Sequence, residues 1–238
     1  MLLFYIRHGD PIYNPDSLTP LGHKQAEAVA KRLALFGVDR IYSSTSTRAV
    51  QTAQPICDLL KKEAELLDFC HENYAWKDFS VTDKNGKTTW PQNNDEFRQL
   101  FASDEIRKLG NQWYEHPAFK DHNFKSGSKR IHDEADKLLY SWGYEYISEE
   151  GRFKVIKSNN DRIALFAHAG FGSIFLSYLL NIPYPQFSIH FSMCHSGMTV
   201  LEFKEKNGYT IPKVLIYSGD SHLYREGLPL NYNNRLRF

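Results

Sequence analysis

The sequence predicts an α/β protein, specifically a three-layer α/β/α sandwich with a mostly parallel central sheet and an inserted cap segment. Three observations support this fold class. Short apolar runs alternate with amphipathic helical patterns along residues 1–72, which indicates βαβ units. A further apolar run at residues 162–167 precedes another helical pattern, so the same architecture resumes late in the chain. Between these regions, residues 73–134 are polar and rich in aromatic side chains, which indicates an insertion over the sheet.

The first half of the chain contains clear helix and strand signals. A continuously apolar run at residues 2–6 is typical of a strand buried on both faces. The first helix begins after Thr19, a suitable N-cap, with Pro20 in the first helical position, and Gly37 suits the residue just past its end. The predicted elements of this half are strands at 2–6, 39–42 and 65–69, a helix between Thr19 and Gly37, and a second helix that runs to residue 60 and is kinked at Pro55.

The second half is expected to rejoin the sheet after the insertion. Gly170 and Gly172 permit a tight turn ahead of a strongly apolar helix, which Pro183 stops. We therefore expect one domain, residues 1–238, with an insertion at about 73–134. The predicted elements of this half are a helix at 131–147, a strand at 162–167, a helix at 174–180, and two strands at 198–203 and 214–217 that pair in antiparallel fashion around residues 207–208.

Composition and charge argue against several classes of protein. The formal net charge is +1, so there is no global basic field to bind nucleic acid or an anionic membrane surface. The cysteines Cys57, Cys70 and Cys194 are widely spaced, and the histidines lack tight ligand spacing, so we expect neither a disulfide framework nor a metal site. No apolar stretch approaches the length of a signal peptide or a membrane span. We expect a cytoplasmic protein without a cofactor, and the sequence does not determine its oligomeric state.

Chemically suited side chains follow directly after four of the predicted strands. In an open parallel sheet the carboxyl ends of the strands share one edge, where ligands bind. We therefore expect four separate segments to meet at one site. These segments are Arg7-His8, the Ser/Thr-rich residues 43–48, His71-Glu72, and His168-Ala169-Gly170.

The residue types in these segments suit a phosphoryl group. The guanidinium groups of Arg7 and Arg48 match phosphate oxygens and are always charged, and His168 is a further candidate donor. A neutral imidazole at His8 can attack phosphorus when its other nitrogen donates to a carbonyl that fixes the tautomer. Glu72 is the candidate acid for the leaving group. The helices that follow the second and fourth of these strands are expected to direct backbone N–H groups toward the anion. The expected partner is a phosphorylated small molecule, and no metal is needed for this chemistry.

With these residues identified, the sequence LFYIRHG at residues 3–9 closely resembles the signature of the histidine phosphatase superfamily, the phosphoglycerate mutase-like proteins. It is followed in order by LTPLGHKQA at 18–26, by SS at 43–44 with TRAVQTA at 47–53, and by HAG at 168–170. Together these matches are specific, although an isolated Arg-His-Gly would be weak evidence. The similarity covers residues 1–72 and about 160–220, and the insertion is the unmatched part.

The resemblance implies a role for each matching residue. In the other branch of the family the acid directly follows the second histidine, but Ala169 occupies that position here, and this favours Glu72. Asp10 is the alternative acid. The implied assignments are His8 as the phosphorylated nucleophile, Glu72 as the proton donor, Arg7, Arg48 and His168 as phosphate-binding residues, and Asn14 as a further phosphate contact. His168 is thereby counted with His8 and Glu72 among the catalytic residues.

Departures from the family pattern affect the predicted reaction. The loop at 9–18 is shorter than in phosphoglycerate mutases, and their arginine-rich motif after the acid is replaced by NYAW at 73–76. We therefore predict a metal-independent phosphomonoesterase. Two alternatives stay open: a cofactor-dependent phosphoglycerate mutase, and an inactive phosphate-binding or interaction module. The latter is disfavoured because all the candidate site residues are present.

The insertion is the expected source of substrate specificity. Lys125, Lys129 and Arg130 are candidate contacts for a second acidic group on the substrate, although such clusters are most often solvated. The aromatic residues of the insertion form either a lid over the substrate or a small core of their own. The segment at 219–223 resembles a late family loop near the pocket.

Overall fold

The computed structural model describes residues 1–232 and shows strands alternating with helices along most of that length. The strands are β1 (Leu2–Arg7), β2 (Pro11–Tyr13), β3 (Asp16–Leu18), β4 (Arg40–Ser44), β5 (Ala64–Leu67), β6 (Val81–Thr82), β7 (Thr88–Thr89), β8 (Tyr144–Ile147), β9 (Arg152–Val155), β10 (Arg162–Ala167), β11 (Met198–Glu202), β12 (Tyr209–Thr210) and β13 (Lys213–Gly219). The α-helices are α1 (Pro20–Phe36), α2 (Thr47–Leu60), α3 (Glu72–Phe79), α4 (Asp95–Phe101), α5 (Asp104–Leu109), α6 (Phe124–Ser141), α7 (Ala169–Leu179), α8 (Tyr184–His190) and α9 (Ser221–Arg225). Short 3₁₀ turns lie at Asp68–Cys70, Pro91–Asn93, Gly110–Glu115 and Pro117–Phe119.

The central sheet has six strands in the order β13-β11-β1-β10-β4-β5. Strand β1 pairs in parallel with β10, from Leu2 opposite Arg162 to Arg7 opposite Ala167, and β4 and β5 continue the parallel half. Strand β11 runs antiparallel to both of its neighbours. The carboxyl ends of β1, β10, β4 and β5 therefore lie at one edge of the sheet, which confirms the mostly parallel arrangement that the sequence predicts.

Helices cover both faces of this sheet. Side chains of β1 point alternately to the two faces: Leu3 and Tyr5 pack into one hydrophobic cluster, and Phe4 and Ile6 pack into the other. The second cluster includes Val29 of α1 together with residues of α2, and the first includes residues of α6 and α7. The three-layer sandwich is thereby confirmed.

The cap signals are satisfied in the first helix. The Thr19 hydroxyl accepts a hydrogen bond from the Gly22 N–H at 3.0 Å, and Pro20 occupies the first turn. At the other end Gly37 has a φ of 69°, a conformation that favours glycine. These local interactions explain why the helix begins and ends where the sequence predicts.

The aromatic residues at 73–134 do not form a separate small core. Their side chains belong to the same buried cluster as Leu3 and Tyr5 of the central sheet. Tyr184 of α8 contacts two of them edge to face, Phe79 and Phe101, with ring centroids 5.2 and 5.9 Å away. The division into one domain with an insertion stays a prediction.

The helix predicted at 131–147 was placed wrongly. It is α6, which begins at Phe124 and ends at Ser141, after which Gly143 turns the chain with a φ of 96°. The residues that follow form β8, and Tyr146 lies opposite Phe153 of β9 instead of on a helix. Tyr146 lies four residues after Trp142, a spacing that fits the helical period although Trp142 is the residue just after α6 and Tyr146 lies in β8.

Three further features differ from prediction: the end of a strand, a strand pairing and a turn. The third strand ends at Leu67, because residues 68–70 form a 3₁₀ turn. Strands β11 and β13 are antiparallel as predicted, but β12 between them pairs with β9. There is no tight turn at residues 170–172, since α7 already begins at Ala169. These glycines allow close packing instead: a Cβ on Gly172 would lie 2.6 Å from the Tyr5 hydroxyl.

Within residues 1–232, no helix is both long and apolar enough to cross a membrane.

Candidate active site

His8 is the first residue after β1 and is held at its backbone by two neighbouring segments. Its N–H donates to Ala167 O at 2.9 Å, and its carbonyl accepts from Ser196 N at 3.0 Å. The Ser196 hydroxyl in turn lies 2.9 Å from Nε2 of His222, so the segment at 219–223 contacts the residue that binds the His8 carbonyl. The position of the imidazole is therefore set by β10 and by a late loop.

The imidazole of His8 is neutral and has a defined tautomer. Its Nδ1 lies 2.7 Å from Gly9 O, and a carbonyl can only accept, so Nδ1 has the proton and Nε2 has a lone pair. Burial lowers its pKa well below the ordinary value, and the nearby His168, Arg7 and Arg48 lower it further. This is the carbonyl contact that the sequence argument required for a nucleophile.

Two buried guanidinium groups flank this imidazole. Arg7, the last residue of β1, donates from Nη1 to Met193 O at 2.5 Å, and burial lowers its pKa. Arg48, in the first turn of α2, donates from Nη1 to Asp16 Oδ1 at 2.7 Å and from Nη2 to His168 Nδ1 at 3.2 Å. The structure thus brings together Arg7, His8 and Arg48 as predicted.

His168 lies behind these residues and is completely buried. Because Arg48 can only donate, His168 Nδ1 is the acceptor, and the proton lies on Nε2, which is 2.9 Å from Ser44 Oγ and 3.3 Å from Ser46 Oγ. Burial and the charge of Arg48 lower the pKa of His168 well below the ordinary value. In this tautomer His168 positions Arg48 and has no Nδ1 proton to donate to an anion.

Glu72 begins α3 and accepts two backbone hydrogen bonds from the start of α7. Its Oε1 accepts from Gly170 N at 2.9 Å and its Oε2 from Phe171 N at 2.8 Å. Burial raises the pKa of Glu72, and these bonds and the two arginines offset only part of that effect. The raised pKa favours the protonated form, as a general acid requires.

Three backbone N–H groups at these helix starts bind protein carboxylates, so they are not directed at the anion as expected. Those of Gly170 and Phe171 bind Glu72, and the Thr47 N–H of α2 donates to Asp16 Oδ2 at 2.8 Å. Both helix starts attract a carboxylate because their N–H groups have no partner within the helix.

Two of the candidates in the first loop lie apart from this group. Asn14 is exposed at the turn between β2 and β3 and is not among the residues that line the cavity described below. Asp10 accepts from the Thr19 hydroxyl at 2.8 Å and lies 3.1 Å from His195 Nδ1, also away from the cavity lining. Sequence reasoning instead missed Asp16, whose carboxylate lies in the cavity wall, and no local signal distinguishes it from the other polar residues of that loop.

A cavity of about 800 Å³ opens above His8. We call the part of its wall formed by Arg7, His8, Arg48 and Glu72 the anion site. The other wall residues come mainly from the insertion and from the end of α8, and they include Trp76, Trp90, Gln92, Asn93, Arg98, His190 and Phe191.

None of Lys125, Lys129 and Arg130 lines the cavity, so they do not contact a second acidic group there, in agreement with the alternative of a solvated cluster. Each is paired with a carboxylate on the surface: Lys125 with Glu115 at 2.7 Å, Lys129 with Asp133 at 2.7 Å, and Arg130 with Asp78 at 2.8 Å. Arg98, which the sequence did not single out, lies in the wall instead.

Solved structures share this fold. Phosphoserine phosphatase of Entamoeba histolytica, in complex with 3-phosphoglyceric acid, is 20% identical, with a TM-score of 0.59 over 93% of this chain and 98% of that chain. A mycobacterial glucosyl-3-phosphoglycerate phosphatase in complex with inorganic phosphate is 14% identical, with a TM-score of 0.57 over 93% and 98%. A putative α-ribazole-5′-phosphate phosphatase of Escherichia coli is 17% identical, with a TM-score of 0.59 over 92% and 96%.

At these identities the similarity shows the fold alone, and no curated protein sequence matches the chain. The family model of the histidine phosphatase superfamily (branch 1), however, matches residues 3–212, which include every residue of the anion site. This match supports the prediction of an enzyme of the phosphatase type. The chain therefore belongs to the histidine phosphatase superfamily, branch 1.

Proposed function

We propose that the protein is a metal-independent phosphomonoesterase that acts on a phosphorylated small molecule through a phosphohistidine at His8. The observation on which this depends is the Nδ1–H to Gly9 O hydrogen bond of 2.7 Å, which leaves Nε2 as the nucleophilic atom beside two buried guanidinium groups. The family match supports the same reaction class.

In the first step Nε2 of His8 attacks phosphorus and forms an N–P bond as the P–O bond to the leaving group breaks. Arg7 and Arg48 neutralise the charge on the equatorial phosphoryl oxygens. The proton of the Glu72 carboxyl moves to the leaving oxygen, so an alcohol departs and a carboxylate remains.

In the second step the Glu72 carboxylate takes a proton from water as the water oxygen attacks phosphorus. The N–P bond breaks, and the electron pair returns to His8 Nε2. Phosphate leaves, and His8 and Glu72 regain their starting protonation states. His168 acts by positioning Arg48, and Asn14 has no part in these steps.

The substrate class is supported by fold relatives whose substrates or ligands are phosphorylated small molecules, such as 3-phosphoglyceric acid in the amoebal enzyme. Two sequence departures favour hydrolysis over mutase action: the short loop at 9–18, and NYAW at 73–76 in place of the arginine-rich motif of phosphoglycerate mutases.

The test is hydrolysis of simple phosphate monoesters by the protein and by its His8→Ala variant, each with a metal chelator present. We expect turnover that survives chelation and is lost in the variant, and phosphate labelling of the protein that is acid-labile and base-stable. Equal turnover by His8→Ala would overturn the proposal. Isomerisation of phosphoglycerate that depends on a bisphosphorylated primer would favour the mutase instead.

A further inference from the structure

The cavity is larger than the anion site needs. At about 800 Å³ it lies within the range of pockets that enclose whole small molecules, and the anion site accounts for only four residues of its wall. The chemistry of the other wall residues should therefore reflect the part of the substrate that is not phosphate.

Arg98 of α4 is an unusual member of that wall. It is the only lysine or arginine from residues 73–134 among the residues that line the cavity. Other basic residues of that region are paired with carboxylates, for example Arg107 with Asp104 at 3.5 Å. Arg98 has no carboxylate within 4.0 Å in the part of the chain that the structure describes. A guanidinium in a cavity wall without a counter-charge is suited to an anionic ligand.

A second basic side chain lines the cavity from the adjacent helix. The Gln186 side-chain amide donates to Phe101 O at 3.2 Å, which joins α8 to α4. Arg98 is one turn before Phe101 on α4, and His190 is one turn after Gln186 on α8. Both therefore lie close to the contact between the helices, and both are in the wall of the same cavity.

The wall between this pair and the anion site is continuous. A Cβ on Gly170 would lie 2.2 Å from Trp90 Cζ2 and 2.8 Å from Glu72 Oε1, so the Trp90 indole and the proposed acid pack against the same glycine. The chain then runs from Trp90 through Gln92 to α4 and Arg98. A ligand that extends from Glu72 past the indole therefore has amide groups and the guanidinium within the same cavity.

We propose that the leaving group of the substrate has a second anionic group, a carboxylate or another phosphate, and that Arg98 binds it, with His190 as a neighbouring donor. This inference rests on the proposed function and adds a substrate class and a specificity-determining residue to it. The carbon skeleton between the two anionic groups would lie along Trp90.

The test compares pairs of phosphomonoesters that differ in the second anion. Phosphoserine against phosphoethanolamine and 3-phosphoglycerate against glycerol 1-phosphate test a carboxylate, and fructose 1,6-bisphosphate against fructose 6-phosphate tests a phosphate. We expect a higher kcat/KM for the anionic member of at least one pair, and the pair with the largest ratio identifies the second anion. In Arg98→Ala that ratio should fall about 10- to 100-fold, mainly through KM, because a hydrogen bond to a charged group is lost. Arg98→Lys should restore part of it.

Arg107→Ala is the matched control, since Arg107 is a neighbouring arginine outside the cavity wall, and its ratios should equal those of the native protein. The inference fails if the native protein turns over both members of every pair equally, or if Arg98→Ala lowers both members equally.

A binding measurement separates this inference from the proposed function. Calorimetric titration of His8→Ala with both members of all three pairs needs no turnover. Adding Arg98→Ala should weaken binding of the anionic member of at least one pair and leave its partner unchanged. If no monoester is hydrolysed, the proposed function fails, while this measurement still decides the role of Arg98.

Discussion

Replacing Glu72 by Gln should affect substrates according to how much their leaving group needs a proton. The carboxylate accepts backbone hydrogen bonds of 2.9 and 2.8 Å from Gly170 and Phe171. The side-chain oxygen of Gln can accept from one of these N–H groups, but its NH₂ group then faces the other N–H, and two donors cannot form a hydrogen bond. One hydrogen bond is lost and one buried N–H is left without an acceptor, which should cost about 1–3 kcal/mol of unfolding free energy.

The effect on chemistry should exceed the effect on stability. A positioned general acid contributes about 10²- to 10⁴-fold, so hydrolysis of an alkyl phosphate should fall by that factor. Nitrophenolate leaves without a proton, so the first step with p-nitrophenyl phosphate should be nearly normal. Hydrolysis of the phosphohistidine still needs Glu72 as a base, and the variant should therefore accumulate phosphoenzyme.

The assay is rapid mixing with p-nitrophenyl phosphate, read as a burst of nitrophenolate, beside steady-state release of phosphate from an alkyl ester. Glu65→Gln is the matched control, because Glu65 is an exposed residue of β5 outside the cavity wall. A loss in the rate of the nitrophenolate burst as large as the loss in alkyl phosphate hydrolysis would refute the assignment of Glu72 as the acid.

Two further predictions concern pH. Activity on an alkyl phosphate requires neutral His8 and protonated Glu72. Burial lowers the pKa of His8 and raises that of Glu72, so kcat/KM should decline as the pH rises above the pKa of Glu72, and this decline should flatten in Glu72→Gln. A profile unchanged by that substitution would contradict the assignment. His132 stacks on Tyr178, and burial lowers its pKa to about 4. As the pH falls below the ordinary pKa of histidine, His132 therefore becomes protonated in the unfolded chain but stays neutral in the folded chain. Unfolding free energy should therefore fall by about 3 kcal/mol on this account between about pH 6.5 and pH 4, and chemical denaturation of His132→Leu should show a correspondingly smaller loss.

Features that depend on local physics could be predicted from the sequence. The first helix begins after Thr19 and ends before Gly37 because both caps act within one turn of the chain. The buried strand that delivers His8 is specified by its continuous apolar run. The tautomer of His8 also follows from a neighbour, since its proton acceptor is the next residue, Gly9.

The sequence was ambiguous where the spacing of apolar residues fits both a helix and a strand. Trp142 and Tyr146 satisfy a helical spacing, yet Gly143 reverses the chain between them and Tyr146 joins a strand. Pairing with β9 decided the outcome, and that partner is not visible in the local pattern.

What the sequence by itself determined is the fold class and the superfamily. It also singled out Arg7, His8, Arg48 and Glu72 as site candidates, because ordered motifs at strand ends imply convergence at one sheet edge. Only the tertiary structure decided how those candidates are engaged: Glu72 binds the start of α7, Asp16 and His168 bind Arg48, and Arg98 lines the cavity while Lys125 does not. These contacts join residues far apart in the chain. Their geometry depends on how helices and loops pack over the sheet, and no periodicity or spacing in one sequence encodes it.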